Sequence, residues 1–405
     1  MKNEIVYIGN FLIGQLDAQS QLILANCKIF SELGFHTTLI GNDNELARSE
    51  DVLKNKTIVD QISCYNIKFN KTAKDLFASM IMFKHVEHVL DYIGAEKIAY
   101  VICYGSLGFA VQIDILQRWC HKRKIPLVDI CADLPVMDHG SLLQRVFKKF
   151  DRAYMHWIIR KKADGLIAVS EYIKRYFAKQ SDYPIITIPP LKDTQLNMLK
   201  PGRNDDLRRI VYVGVPFPID GRKVDESAYK DRIDLFIDLL CSVTERVPAC
   251  RLDIYGLTSE EYLRVVSRQR DLLEKYQDMI VFHGRIEHNA ALQIVADADF
   301  TVVYRLKNKM TMAGFSTKFV ESISCGTPVI MTDTSEYAHY VELGASSVML
   351  DVDDLEQQRC ALVKALNKSS EEICDMKRSC YESRVFDYRN YIEPMKAFLT
   401  AVLKQ

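Results

Sequence analysis

The chain carries no net charge, because 53 Lys+Arg balance 53 Asp+Glu over 405 residues. With no global field of either sign, nothing general draws nucleic acid or an anionic surface to it, and any hold on phosphate has to be local. Its 11 cysteines are odd in number, run from Cys27 to Cys380 and never form a Cys-x-x-Cys pair. That pattern offers neither a disulfide frame nor a zinc-site spacing, and fits reduced thiols in a cytoplasmic protein. No apolar run nears the ~20 residues that cross a bilayer, and Met1-Lys2-Asn3-Glu4 leading into a strand is unlike a signal peptide. There is no short-period repeat, no low-complexity tract and no G-x-G-x-x-G, so no dinucleotide site is read from the sequence.

What is there is an ordinary globular composition, 48% hydrophobic and 26% charged, in a chain longer than one hydrophobic core usually supports. Two domains are expected, 1–195 and 196–385, with a last helix in 386–405 returning to the first. The boundary is set by Pro184, Pro189, Pro190, Pro201 and Gly202, followed by a charged run.

The first half opens with a buried strand Ile5 to Ile8, a loop through Gly14, a helix from about Ala18 to Leu33 stopped by Gly34, and a strand Thr37 to Ile40. This is a βαβ unit, whose crossover favours a parallel sheet. Apolar runs at 98–103, 126–130 and 165–169 continue it. Ligands of open parallel sheets collect beyond the carboxyl ends of the strands, which places Gly14, Tyr104, Asp129, Asp133 and Ser170 near one rim. Asp129 and Asp133 are candidates for acceptor recognition or acid–base work, against a helix cap or a salt bridge.

Residues 142–162 read as a helix with two characters. Leu143, Val146, Phe147, Phe150, Tyr154, Trp157 and Ile158 fall on one face. Opposite stand Arg145, Lys148, Lys149, Arg152, Arg160, Lys161 and Lys162, with only Asp151 against them. Such a helix either lies on an anionic membrane surface or packs its aromatics on the sheet and leaves the basic face in water.

In the second half, strands are expected at 209–214, 252–256, 280–285 and 300–305, with a helix over 291–298 before the last. Lys230-Asp231 opens another helix, where a first-turn lysine is unfavourable for the helix dipole. Lys230, Arg285, Arg305 and Lys318 would make a basic cleft suited to two phosphates, and Arg222 and Lys223 are weaker candidates than Lys230 for its place. The chain centres on 312–333. Gly314, Phe315, Ser316 and Thr317 form a loop before a short helix carrying Lys318 and Glu321. Then come Gly326-Thr327-Pro328 and the apolar strand ending at Asp333. Free amides at a helix start suit an anion, and Glu321 suits sugar hydroxyls. A plain βα turn with a solvated Glu321 is the other reading.

Thr317-Lys318-x-x-Glu321-(x)4-Gly326-Thr327-Pro328-Val329-Ile330 resembles the donor-site motif of family 4 retaining glycosyltransferases. Val128-Asp129 and Ile188-Pro189-Pro190-Leu191-Lys192-Asp193 add to the likeness, and Ala313 departs from it where the usual pattern has a second Glu. The resemblance implies an α/β GT-B fold, two Rossmann-like parallel-sheet domains facing a central cleft. It implies transfer from a nucleoside-diphosphate sugar to a saccharide or lipid-linked acceptor, with retention, in surface polysaccharide synthesis. In the family the helix-borne Glu holds the ribose, here Glu321, while the loop amides and a Lys at the place of Lys230 approach the diphosphate. No metal is implied: the only comparable acidic run, Asp351-Val352-Asp353-Asp354, lies after the last strand. A cytoplasmic location, extending to the inner face of the membrane through 142–162, goes with this reading. Rivals are a nucleotide-sugar 2-epimerase and a non-catalytic nucleotide-sugar-binding subunit.

Overall fold

A computed structural model describes residues 2–12, 18–41, 43, 45–67, 76–105, 110–134, 142–194, 207–220, 226 and 229–404. Gly14, Arg222 and Lys223 lie outside the described residues. The chain divides into two compact units, Met1–Leu191 with Tyr388–Gln405, and Lys192–Asp387.

The first unit is built on an eight-stranded sheet. Its strands are β1 (Glu4–Gly9), β2 (His36–Gly41), β3 (Lys56–Val59), β4 (Ile62–Asn66), β5 (Ile98–Tyr104), β6 (Leu127–Cys131), β7 (Gly165–Ala168) and β8 (Ile185–Thr187). They run in the order β3-β4-β2-β1-β5-β6-β7-β8, all parallel except the β3–β4 hairpin. The central strands are continuous apolar runs, as two covered faces require. The helices are α1 (Ala18–Glu32), α2 (Leu76–Ile93), α3 (Ala110–Lys122), α4 (Leu142–Lys162), α5 (Glu171–Ala178) and, after the second unit, α15 (Ile392–Leu403). The last of these buries Met395, Phe398, Leu399 and Val402. A Cβ at Gly165 would meet Val402 Cγ2 at 2.8 Å and Phe398 Cζ at 2.9 Å, so the bare backbone there is what lets α15 lie against β7. Tyr100 Oη fixes the same contact by donating to the Leu399 carbonyl at 3.0 Å.

The second unit has six parallel strands: β9 (Arg208–Val213), β10 (Cys250–Tyr255), β11 (Ile280–Gly284), β12 (Phe300–Val303), β13 (Val329–Thr332) and β14 (Ser347–Leu350). Their order is β11-β10-β9-β12-β13-β14, with β9 and β12 at the centre. Helices α6 (Ile233–Cys241), α7 (Ser259–Val265), α8 (Arg270–Lys275), α9 (His288–Asp297), α10 (Lys309–Ala313), α11 (Thr317–Ser324), α12 (Tyr337–Glu342), α13 (Leu355–Leu366) and α14 (Ser370–Ser383) connect them. Buried Lys377 of α14 donates to the Ala296 and Ala298 carbonyls at 2.7 Å, where α9 ends and its last carbonyls lack internal partners. The acidic run is structural: Asp354 caps α13 through the Gln357 amide, and Asp351 accepts from the Asp353 amide. Helix α9 starts three residues before the expected 291, because its N-cap Glu287 makes no side-chain cap bond and so leaves no capping pattern in the sequence.

Asp129 is neither a helix cap nor a salt-bridge partner. It sits on β6 opposite Cys103, is 3% exposed, and its Oδ2 has no hydrogen-bond partner among the described residues. Burial pushes its carboxyl up to about 7. An acid whose folded value lies above its unfolded value contributes stability that is complete below the unfolded value, near 4, and lost as pH rises through 7. Asp129→Asn is therefore expected to flatten the decline in denaturation midpoint between about pH 4 and pH 7. The check is urea melts of both proteins across that range. Parallel declines would show that Asp129 is not the titrating group.

Candidate functional site

The carboxyl ends of the two central strands of the second unit meet at one buried carboxylate. Asp231 stands just before α6, is 1% exposed, and holds three partners. Its Oδ1 accepts from Arg305 Nε at 2.7 Å, and its Oδ2 accepts from Lys318 Nζ at 2.7 Å and Tyr212 Oη at 2.9 Å. Tyr212 comes from β9, Arg305 follows β12, and Lys318 is in the first turn of α11. Burial alone would raise the Asp231 carboxyl, but Lys318 and Arg305 overrule it and hold the group well below the usual carboxylate range. Burial likewise works against Arg305, and Asp231 more than restores its charge. The stability this carboxylate adds is present above its unfolded value near 4 and is lost as pH falls below it.

Neighbouring residues fix each member. Thr332 Oγ1 at the end of β13 accepts from the Arg305 amide at 2.8 Å and donates to the Arg305 carbonyl at 2.7 Å. The Lys318 ammonium lies 5.3 Å over the Tyr212 ring. Gly214, just after β9, has φ +142, and a Cβ there would come within 2.5 Å of Lys318 Cε. Glycine therefore meets both a backbone and a space requirement. Next to Asp231, Arg232 is a second tie. Its fork grips Asp234 at 2.9 and 2.8 Å and reaches Glu226 at 2.8 Å, while its amide donates to the Tyr304 carbonyl at 2.7 Å.

The four-cation cleft read from the sequence is thus redistributed. Arg305 and Lys318 converge, but on an acid that neutralises one of them. Lys230 is exposed, between buried Tyr229 and Asp231. Arg285 is exposed at the end of edge strand β11, about three strand spacings or ~14 Å across the sheet from Arg305. The donors that remain for an anion are definite. Arg305 Nη1 is buried and among the described residues makes no hydrogen bond of ordinary geometry, though the Tyr337 hydroxyl lies close to the guanidinium, and the Lys318 side chain keeps 23% exposure.

At the loop before α11, Gly314 closes α10, and the Phe315 ring packs among Phe319, Tyr337, Tyr340 and Phe386 at centroid distances of 5.3–6.3 Å. Ser316 caps α11 through the Phe319 amide, and its own amide donates to Tyr337 Oη at 3.1 Å. The next two amides, of Thr317 and Lys318, belong to a first turn that has no internal acceptors. Ala313 is fully buried. Glu321, one turn along α11, accepts from Lys192 Nζ at 3.1 Å, each side chain about one-fifth exposed. Lys192 is held at the start of the unit by its amide, which donates to the Phe386 carbonyl at 2.9 Å, and by a parallel bridge to Asp387. His288, at the start of α9, shares this environment: burial lowers its imidazole, Glu321 opposes the fall and Lys192 adds to it. In the first unit Asp133 is exposed, and Ser170 caps α5 through the Ile173 amide at 3.3 Å.

Asp231, Lys192, Tyr212 and Tyr337 are the site members that sequence reasoning passed over. Asp231 and Lys192 stood inside stretches already singled out, but only the fold shows which cation each acid meets.

With this geometry in place, likeness to known proteins can be judged. Residues 221–368 match the family model described as Glycosyl transferases group 1. That span, a little over a third of the chain, includes Asp231, Arg305, Lys318 and Glu321. No curated protein matches the chain. Among solved structures, sucrose-phosphate synthase from Thermosynechococcus elongatus superimposes at a TM-score of 0.66 and 14% identity, over 99% of each chain. The E. coli trehalose-6-phosphate structure bound with UDP-2-fluoro glucose gives 0.65 and 10%, over 98% of each chain. Anabaena HepE in complex with UDP gives 0.65 and 12%, over 98% of this chain and 100% of that one. The fold is GT-B. At these identities the likeness to the solved structures is one of fold.

Asp231→Asn is expected to cost about 3–5 kcal/mol, since removing one partner from a buried ion cluster strands the others. Chemical denaturation of the variant measures this. A loss under about 1 kcal/mol would mean the two cations find other acceptors and that Asp231 does not hold the cluster.

Proposed function

We propose that the chain moves a sugar from a nucleoside-diphosphate sugar to a saccharide or lipid-linked acceptor, with retention of configuration, in surface polysaccharide synthesis. The observation that carries the reading is the Asp231 cluster. It presents Lys318 and the buried Nη1 of Arg305 beside the first turn of α11, within the stretch that matches Glycosyl transferases group 1.

In this reading the diphosphate meets the Thr317 and Lys318 amides, the Lys318 ammonium and Arg305. Charge on the departing diphosphate peaks in the transition state, and donors already locked by Asp231 and Tyr212 need no reorganisation to meet it. Glu321 takes the ribose hydroxyls, exchanging or sharing its present partner Lys192. Lys230, exposed beside Asp231, serves the phosphates from the rim, whereas Arg285 at the edge strand lies too far across the sheet to share them. Asp133 is the exposed carboxylate left for the acceptor side. No metal enters this scheme, because fixed cations and helix amides carry the charge. The uridine nucleotides bound in two of the similar structures make UDP the first nucleotide to try. Ala313, buried where the usual motif has Glu, favours one second reading, a subunit that binds nucleotide-sugar without turning it over.

Calorimetry with UDP tests the site. Glu321→Gln is expected to lose about 1.5–3 kcal/mol of binding, the worth of hydrogen bonds to a charged group. Lys318→Ala should weaken UDP and leave uridine unchanged. Unaltered UDP affinity in both variants would remove these residues from the site. With donor and a lipid-linked acceptor extract, turnover should persist in excess chelator, and strict dependence on Mg²⁺ or Mn²⁺ would overturn the metal-free scheme. Binding with no turnover on any acceptor would favour the non-catalytic subunit.

A further inference from the structure

Helix α4 divides its residues differently from the two faces of its sequence pattern. Its inner side is tied to α3. Lys162 Nζ pairs with buried Asp114 at 2.6 Å, and Tyr154 and Met155 pack on the core of the first unit. Asp151, the sole acid of the helix, accepts from the Ala110 amide at 2.9 Å and so serves the first turn of α3.

The outer side carries Val146, Phe150, Ala153 and Trp157, spaced i, i+4, i+7, i+11, in one exposed stripe. Phe150 is 73% exposed, Trp157 48%, and Val146 and neighbouring Phe147 43% each. Cations border the stripe, with Arg145, Lys149 and Lys161 all exposed. Trp157 is the most constrained of the aromatics, stacked on Tyr154 at 6.0 Å with Lys162 Nζ 5.1 Å from its ring. Residues 145–150 are exposed at every position.

We propose that this outer stripe docks on an anionic phospholipid bilayer, with Phe150 and Val146 entering the interface and Arg145 and Lys149 meeting lipid phosphates. Charge decides for a bilayer over a second copy of the chain. A self-associating face would bring two rows of cations together, whereas Asp151, the one acid of the helix, is turned inward to α3. Burying exposed aromatics at the interface and pairing cations with anionic headgroups are the two attractions that hold a surface helix on a membrane. This rests on the transfer reading for its purpose, presenting the enzyme to a lipid-linked acceptor, and not for its test.

The test is co-sedimentation of the full chain with phosphatidylglycerol vesicles and with phosphatidylcholine vesicles, without nucleotide or acceptor. Wild type is expected to bind the anionic vesicles at about 50 mM salt, to leave them at about 500 mM as screening sets in, and to bind neutral vesicles far less. Arg145→Gln with Lys149→Gln should lower partition roughly thirty-fold. Phe150→Ser should lower it too, and neither change should move the melting temperature or the affinity for UDP. Wild type remaining in the supernatant at low salt overturns the proposal, as does undiminished binding by both variants. A dimer that Phe150→Ser turns into a monomer, with no vesicle binding, would assign the stripe to self-association instead. Failure of wild type to bind UDP would undo the transfer reading and leave docking standing.

Discussion

The second unit depends on a carboxylate that cannot leave. Asp231 is shut away from water, and its charge is tolerable only because Arg305 and Lys318 stand at 2.7 Å. They in turn are tolerable there only because of it. Removing Asp231 leaves two cations without their acid, a larger penalty than the net worth of the pairing, whereas removing either cation still leaves a neutral pair. Tyr212, Arg305, Lys318 and the entry to α6 are thereby clamped at a single point, so two strand ends and two helix starts share one register. Such a cluster is a poor source of stability compared with apolar packing, which makes its presence at the carboxyl ends of the central strands more telling.

The same clamp sets what the site can offer a ligand. One acid against two cations leaves an excess of a single positive charge, far less than four unpaired cations would give, but that charge is fixed in direction. Arg305 Nη1 is the clearest sign: among the described residues this buried donor meets no well-placed acceptor, which costs free energy. An anion that accepts from it recovers that cost on binding. Glu321 is in the opposite condition, already satisfied by Lys192. Any hydroxyl that approached this carboxylate would have to compete with an ammonium for it.

Much of the architecture was legible in the sequence because parallel strands buried on both faces are mostly apolar, and the strands expected at 98–103, 209–214 and 300–305 overlap β5, β9 and β12. The hairpin of β3 and β4 was not. Its two-residue turn is Asp60-Gln61, with φ of 47 and 66, and neither is the glycine or asparagine that such a turn usually displays. Within the site, the short helix bearing Lys318 and Glu321 was readable from spacing and from the Gly326 stop. The pairing of charges was not, because Asp231 and Lys318 are 87 residues apart and Lys192 and Glu321 are 129 apart. Sequence placed Lys230 and Asp231 together at a helix start and favoured the cation, since an exposed lysine and a buried aspartate look alike until the strand ends are assembled around them.

Helix α4 shows the same limit in another form. Periodicity sorts residues around an axis but does not say which sector turns inward, and a 21-residue amphipathic helix has more apolar residues than one contact can cover. Here the inward sector was chosen by polar anchors. Lys162 reaches a buried aspartate, and Asp151 reaches the start of α3, two directed contacts that fix rotation about the helix axis. Tyr154 then falls inward, whereas Phe150 and Val146 fall outward although all three belong to one apolar face in projection. A rotation of some 60–80° would have buried Phe150 at the expense of both anchors. Phe150 stays outside because losing two charge-assisted contacts, one of them to a fully buried acid, outweighs covering one more ring.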